Sequence, residues 1–309
     1  MGDKELANPK DNVKVIEAYK KYLRSVGEVV CKRNFPNCNP KEIPGDVDDI
    51  VNFEIELSKI RLSPEDRRDP DLVYNKFTLD SFKNKTGFDW EKFITETLNL
   101  IKSSKKVTGN SEILVSDVEY VVKAIDILKK TKQSTIISYF YWQVISTFGS
   151  LSSEQYRKIK FEFDKVTLGV KELKSRDKFC HSFVYGYFDV ALSRLFVSKH
   201  FTKQEKNVAT QMIDTIQASF NDIIKSNDWL DDVTRAKSIE KLQKVTKNVA
   251  YPEWILNDAE LDKFYYINEE FFNELLQQKN FMTAHLLFIA SQVKNKVEDF
   301  DKTPQKDKT

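Results

Sequence analysis

The stretch that decides the fold is CHSFVYGYFDVALSRLFVSKHF, residues 180–201. Its apolar side chains recur at intervals of three and four residues, which places them along one face of an α-helix. This spacing predicts a helix from Arg176 to His200 whose apolar stripe faces a core. The members of the predicted stripe are Val184, Tyr187, Phe188, Ala191, Leu192, Leu195 and Phe196.

Two more helices are predicted directly downstream. Thr202 is expected to cap the first of them, and Asp231 the second. The second is expected to end at Pro252, because proline cannot continue a helix. Trp229, two residues before the second cap, is expected to pack into the interior. The predicted inward face of the first helix consists of Ala209, Met212, Ile213, Ile216, Phe220 and Ile223.

The rest of the chain shows the same periodicity, which predicts an all-α fold. Only 8 Gly and 8 Pro occur in 309 residues, fewer than the turns of a β-rich protein need. A helical lobe is predicted over residues 12–298, ending in one long helix at Glu269–Val297. Residues 1–11 and 299–309 are predicted to be disordered. One short strand, Glu112–Ser116, is expected to lie alone across the helices.

The charge balance excludes two classes of partner. The 49 basic and 47 acidic side chains give a formal net charge of +2. This balance provides no electrostatic attraction for nucleic acid or an anionic membrane. No signal peptide or transmembrane segment is predicted, because the first residues are charged and the apolar runs are short. We therefore expect no contact of this chain with nucleic acid or with a membrane.

The side chains that usually carry catalysis form no motif in this sequence. His181, His200 and His285 have no second His or Cys three or four residues away, the spacing of a helical zinc site. Cys180 and His181 are neighbours, and neighbours on a helix point about 100° apart, which argues against a catalytic pair. No phosphate-binding loop or nucleophile elbow is present. We expect no catalytic residue, metal site or cofactor in this chain.

The three cysteines are an odd number, and two interpretations remain open. Cys31 and Cys38 flank a turn-rich loop that a disulfide would close, which would leave Cys180 unpaired. Alternatively, all three are free thiols in a reducing compartment. Asn84 begins the sequence Asn-Lys-Thr and is therefore a candidate N-glycosylation site.

Several motifs together resemble the neprilysin and endothelin-converting enzyme family. In the central stretch, without a gap between Cys180 and Pro252, they include Arg194, Trp229, Asp231, Thr234, Arg235, Lys241, Tyr251 and Pro252. Upstream they include Pro64–Pro70, Tyr74–Lys76, Phe88–Trp90, Tyr139 and Trp142. The chain departs from the family pattern at Gln143, Ser193 and Ala250, where Arg, Gly and Gly are usual. These departures are expected to change only local packing.

The resemblance implies that this chain is the lobe of a zinc metalloendopeptidase that does not carry the zinc. Family members are type II membrane or secreted enzymes whose two helical lobes enclose a cavity, and this lobe limits access to short peptides. The zinc and the H-E-x-x-H motif would belong to a catalytic lobe expected after Asp301 and absent from this chain. The chain by itself is therefore expected to be inactive.

The resemblance also implies cysteine pairing, partners and location. It favours a short Cys31–Cys38 bridge, and it pairs Cys180 with a cysteine of an opening segment that this chain is expected to lack. The implied partners are peptides and the missing catalytic lobe, outside the cell or on a membrane-anchored ectodomain. The alternative is a stand-alone, non-catalytic helical protein that binds peptides or other proteins. An unrelated helical scaffold is the third hypothesis.

Overall fold

The computed structural model describes residues 2–34, 38–300 and 302–303. This part of the chain is helical apart from one small sheet, which confirms the predicted all-α class. Its helices are α1 (Asp3–Ala7), α2 (Val13–Asn34), α3 (Ile43–Lys59), α4 (Pro70–Val73), α5 (Leu79–Thr86), α6 (Trp90–Leu100), α7 (Val118–Lys130), α8 (Gln133–Ser152), α9 (Glu154–Thr167), α10 (Arg176–His200), α11 (Lys203–Ser226), α12 (Asp232–Gln243), α13 (Asp258–Phe264), α14 (Glu269–Leu276) and α15 (Phe281–Glu298). The strands are β1 (Asn75–Thr78) and β2 (Glu112–Val115), and 3₁₀ turns lie at Asp66–Arg68 and Glu253–Leu256.

The chain divides into two compact units, and the predicted lobe over residues 12–298 includes parts of both. The first unit consists of Met1–Leu173 together with Gln278–Thr309. The second unit is Lys174–Gln277. The second unit is thus inserted between two segments of the first.

The core of the first unit is formed by α1, α2, α3, α8 and α9. Trp142 on α8 is buried, and its Nε1 donates a hydrogen bond of 2.8 Å to the Tyr19 hydroxyl. The Tyr22 ring stacks on Phe163, with ring centroids 5.4 Å apart. Interdigitated rings of this kind fill a core and fix its geometry. The other buried members are Leu6, Ile16, Leu23, Val26, Ile43, Val47, Ile50 and Val51.

The amino-terminal segment differs from its prediction. Residues 1–11 were expected to be disordered, but α1 forms there and Leu6 is only 5% exposed. The helix packs against α3 and α2, so one apolar side chain anchors an otherwise polar segment. In the predicted tail, 299–309, the structure describes only residues 299–300 and 302–303, so the rest of that prediction lies outside the described residues.

The predicted lone strand is paired. β2 lies antiparallel to β1, with Asn75 opposite Val115 and Thr78 opposite Glu112. Side chains reinforce this pairing, since Lys76 Nζ lies 2.9 Å from Glu112 Oε2. β1 was missed because four residues between a short helix and a helix cap are too few to show an alternating pattern.

Two predicted helix ends are also corrected. The expected long helix at Glu269–Val297 is two helices, because the Asn280 side chain accepts a hydrogen bond of 2.8 Å from the Thr283 amide and starts α15 there. The helix expected to reach Pro252 ends at Gln243. Pro252 instead precedes the 3₁₀ turn.

Candidate functional site

The second unit carries the central stretch of the family resemblance, from Cys180 to Pro252, and α10 is its longest helix. α10 bends at Phe188, where the backbone angles (φ −130°, ψ 34°) leave the helical range. A bend of this kind leaves backbone amides without an acceptor in the helix. The buried Tyr265 hydroxyl accepts hydrogen bonds from Val190 N (3.1 Å) and Ala191 N (3.2 Å). Burial raises the pKa of Tyr265, so the hydroxyl remains protonated at neutral pH.

Arg194 connects α10 to α13. Its guanidinium forms an ion pair with Asp258, the first residue of α13. Tyr265 is the residue that follows α13, and its ring centroid lies 5.3 Å from that of Phe188 on α10. The family-motif arginine therefore joins two helices of one unit, beside the bend that Tyr265 holds.

The Asp231 turn joins α11 to α12. Asp231 Oδ1 accepts a hydrogen bond of 2.8 Å from Thr234 N, and Oδ2 accepts one of 2.6 Å from Thr234 Oγ1. These bonds stabilise the carboxylate and lower the pKa of Asp231. Arg235 Nη2 donates to the carbonyl oxygens of Asn227 (2.9 Å) and Leu230 (2.6 Å). The predicted cap is present, and Arg235 closes the same turn.

Trp229 and Lys241 do not join this network. Trp229 is 76% exposed, which corrects the expectation that it packs into the interior. The turn around it is satisfied by polar contacts of Asp231 and Arg235, and no apolar group of the second unit covers the indole. Lys241 is exposed on α12.

Tyr251 is buried and is held by a lysine that the sequence analysis missed. Lys206 Nζ lies 4.2 Å from the centroid of the Tyr251 ring and donates a hydrogen bond of 2.8 Å to the Tyr251 carbonyl. The same Nζ lies 2.7 Å from Glu253 Oε1. Lys206 thus binds the residues on both sides of Pro252, namely Tyr251 and Glu253. Nothing in the sequence distinguishes Lys206 from the many other lysines, because its partners are about 45 positions away.

A cavity of about 450 Å³ lies next to Tyr251 in the second unit. Its walls are mostly apolar and aromatic, and Ala250 lines it with a left-handed backbone (φ 63°). This conformation is easiest for glycine, the residue that the family resemblance expects at this position. The aromatic wall residues are His181, Tyr185, Phe196, Phe201 and Tyr251.

The predicted inward face of α11 is exposed. Five apolar side chains on one face, which we call the α11 stripe, are between 52% and 65% exposed. Four of them belong to the predicted face, namely Met212, Ile216, Phe220 and Ile223, and the fifth, Val208, was not part of that prediction. On α10, Leu195 and Phe196 of the predicted stripe are exposed as well. The prediction that these apolar faces point inward is therefore wrong for the second unit, which does not cover them.

The histidines occupy separate environments. His181 stacks on Tyr185, and His200 packs against Phe196. His285 is buried between aromatic rings of the first unit, and burial lowers its pKa. Within the described ranges, no group of three or more His, Cys, Asp or Glu side chains is placed to hold a metal ion.

The cysteines and the sequon are placed as follows. Cys31 and Cys38 are joined by a disulfide whose Cα atoms are 5.3 Å apart, and Cys180 is an exposed thiol. Asn84 is exposed on α5, and its modification stays a prediction. No helix in the described part of the chain has the length and apolar character needed to cross a membrane.

Comparison with known proteins assigns the family. Residues 1–252 match the amino-terminal model of peptidase family M13. The chain belongs to peptidase family M13. It is 28% identical to Neprilysin-1 of Trittame loki over 298 residues, covering 94% of this chain and 40% of that protein. It is 30% identical to Neprilysin-1 of Caenorhabditis elegans over 253 residues, covering 82% of this chain and 33% of that protein.

A further relative agrees with this assignment, and two solved structures agree with the fold. Human endothelin-converting enzyme 1 is 26% identical over 260 residues, covering 84% of this chain and 33% of that enzyme. The crystal structure of PepO from Lactobacillus rhamnosis has a TM-score of 0.74 at 16% identity, covering 96% of this chain and 43% of that one. The crystal structure of the Mycobacterium tuberculosis zinc metalloprotease Zmp1 with an inhibitor has a TM-score of 0.66 at 23% identity. The match covers 79% of this chain and 35% of that one. The M13 chain described here thus spans two fifths or less of the length of these curated relatives.

Proposed function

We propose that this chain is the substrate-access lobe of an M13 zinc metalloendopeptidase and that it hydrolyses no peptide by itself. Family membership supports the metallopeptidase class. The observation that carries the finer proposal is the α11 stripe. If a lobe packs against a second lobe in the whole enzyme, the apolar face at their interface is exposed in the isolated lobe.

The α11 stripe has the dimensions of an interface. Val208 and Ile223 are 15 positions apart, which corresponds to roughly 22 Å along a helix at about 1.5 Å per residue. Scattered apolar side chains are normal on a protein surface, but a continuous row of this length indicates a contact site. The partner we propose for it is the catalytic lobe, because the relatives are more than twice as long as this chain.

Two features support an extracellular enzyme acting on peptides. The Cys31–Cys38 disulfide is typical of an oxidising compartment, and the exposed Asn84 sequon is compatible with the secretory route. The aromatic cavity beside Tyr251 has a size that admits an apolar peptide side chain. In this proposal, zinc and the hydrolytic residues belong to the catalytic lobe, which would also complete the cavity for short peptides.

The direct test measures metal content and hydrolysis. The purified chain is incubated with a quenched fluorescent peptide library, with and without a chelator, while zinc is quantified by atomic emission. We expect no stoichiometric zinc and no chelator-sensitive cleavage. One zinc per chain together with chelator-sensitive cleavage would overturn the proposal of inactivity.

A second test addresses the α11 stripe. We expect the wild-type chain to self-associate, and the double variant Met212→Lys/Ile216→Lys to be monomeric in sedimentation velocity. The matched control is Asn207→Lys/Gln211→Lys, which places two lysines at the same spacing on the exposed polar side of α11 and should associate like the wild type. A wild-type chain that stays monomeric would instead favour the stand-alone binding protein.

A further inference from the structure

A polar cavity of about 400 Å³ lies inside the first unit, outside the Cys180–Pro252 stretch. Helices α1, α2, α3, α8 and α9 contribute its walls. A single acidic side chain lines it, Glu54 of α3, which is only 8% exposed. Aromatic rings form much of the remaining wall, namely Tyr19, Tyr22, Tyr139, Trp142 and Phe163.

The Glu54 carboxylate is incompletely satisfied. Gln143 Nε2 donates to Glu54 Oε1 at 3.3 Å. Glu54 Oε2 is buried and has no hydrogen-bond partner among the described residues. Burial raises the pKa of Glu54, and a hydrogen bond from Tyr19, the charge of the chain's amino terminus and a hydrogen bond from Gln143 offset this effect only in part. A buried carboxylate in this situation needs either a proton or a neighbouring cation.

The basic side chains of the cavity have other partners. Lys160 Nζ is held by both carboxylate oxygens of Asp164, at 2.7 and 2.8 Å. The exposed Arg61 guanidinium lies 5.1 Å from the Tyr120 ring centroid and donates to the Tyr120 hydroxyl at 3.4 Å. Within the part of the chain that the structure describes, no ion pair joins Glu54 to a basic side chain. The basic side chains that line the cavity are therefore engaged with groups other than Glu54.

The aromatic wall is held in place. Trp142 Nε1 donates to the Tyr19 hydroxyl at 2.8 Å, and the Trp142 ring packs edge-on against Tyr22 with centroids 5.1 Å apart. The faces of such rings carry negative charge density and attract cations, most strongly when water is excluded. Rings and a carboxylate that line one cavity are the groups that recognise an ammonium ion.

We propose that the Glu54 cavity is a binding site for a small organic ammonium ion, with the primary ammonium group against the Glu54 carboxylate. The ammonium hydrogens supply the donors that Oε2 lacks, and the aromatic rings contact the organic part of the ligand. This site uses residues of the first unit alone, so it does not depend on the proposed function.

The test compares two ligands of nearly the same shape. Benzylammonium carries the positive charge, and benzyl alcohol is its neutral counterpart. Calorimetric titration of the purified chain near neutral pH should give saturable benzylammonium binding, with benzyl alcohol weaker by ~tenfold or more. Absence of saturable benzylammonium binding, or equal affinity for the two ligands, would overturn the proposal.

A matched pair of variants locates the site. Glu54→Gln keeps the size of the side chain and removes its charge, and we expect it to weaken benzylammonium binding by ~tenfold or more. Glu56→Gln lies on the same helix with an exposed side chain and should leave binding unchanged. Equal affinity in folded Glu54→Gln would refute the site. Circular dichroism checks the fold of both variants, and the comparison of the two ligands on the wild-type chain remains decisive if Glu54→Gln fails to fold.

Discussion

In the first unit, Tyr19, Tyr22 and Trp142 pack among aliphatic side chains from five helices. In the second unit, four apolar side chains are buried, namely Ile224, Tyr251, Ile255 and Tyr265. Helix α11 of the second unit is amphipathic in sequence, as are α2 and α3 of the first unit, but the second unit leaves the α11 stripe exposed. Its internal order depends instead on polar contacts, such as those of Lys206 and Arg235. The proposed interface with a catalytic lobe would account for this difference.

The two tryptophans give the largest expected contrast between the units. Trp142→Ala removes a buried ring and its hydrogen bond to Tyr19, and we expect it to lower the free energy of unfolding by about 3–5 kcal/mol. Trp229→Ala removes an indole that is mostly in solvent, and its effect should stay within about 0.5 kcal/mol. Urea unfolding followed by circular dichroism measures both. A loss for Trp229→Ala as large as that for Trp142→Ala would contradict the comparison.

Tyr265→Phe tests whether polar contacts hold the second unit. It removes the acceptor of two amide hydrogen bonds at the α10 bend, and we expect a loss of about 1–2 kcal/mol of stability. Hydrogen exchange at Val190 and Ala191 should accelerate, which identifies the affected segment. Tyr185→Phe, at an exposed position on the same helix, is the control. Unchanged exchange at the two amides would show that the bend does not need the Tyr265 hydroxyl.

Glu298 gives the smallest expected effect, a response of the first unit to acid. Its carboxylate accepts hydrogen bonds from Ser103 Oγ and Ser104 N, both at 2.7 Å. Hydrogen bonds from Ser104 and Ser103 lower the pKa of Glu298 from 4.5 to about 2. Because the folded-state pKa is depressed, this stabilisation is fully present above pH 4.5 and disappears as the pH falls through about 2.

The measurement for Glu298 is stability as a function of pH. Glu298→Gln should flatten the decline of stability between pH 4.5 and 2, whereas Glu56→Gln on α3 should leave the decline unchanged. An identical slope in Glu298→Gln and the wild type would mean that other groups cause the acid sensitivity.

Local signals predicted much of this fold. The caps at Thr202 and Asp231 were predicted because a capping side chain acts on an amide three residues away. Apolar periodicity likewise predicted the helical class. Within the candidate site, the sequence predicted the Asp231 cap but missed Lys206 and Tyr265, because each acts on backbone tens of positions away. The exposure of Trp229 was also missed, since a sequence pattern identifies an apolar residue without showing whether anything covers it.

The inserted position of the second unit has a consequence for synthesis. α15 belongs to the first unit, and the segment from Gln278 onward that contains it leaves the ribosome only after the whole of Lys174–Gln277. At ~5–20 residues per second, the first unit waits on the order of ten seconds for its last helix. During this interval Phe148 lacks its contact with His285, and Ser103 lacks its contact with Glu298. The nascent first unit therefore presents uncovered aromatic surface at the time when a chaperone would meet it.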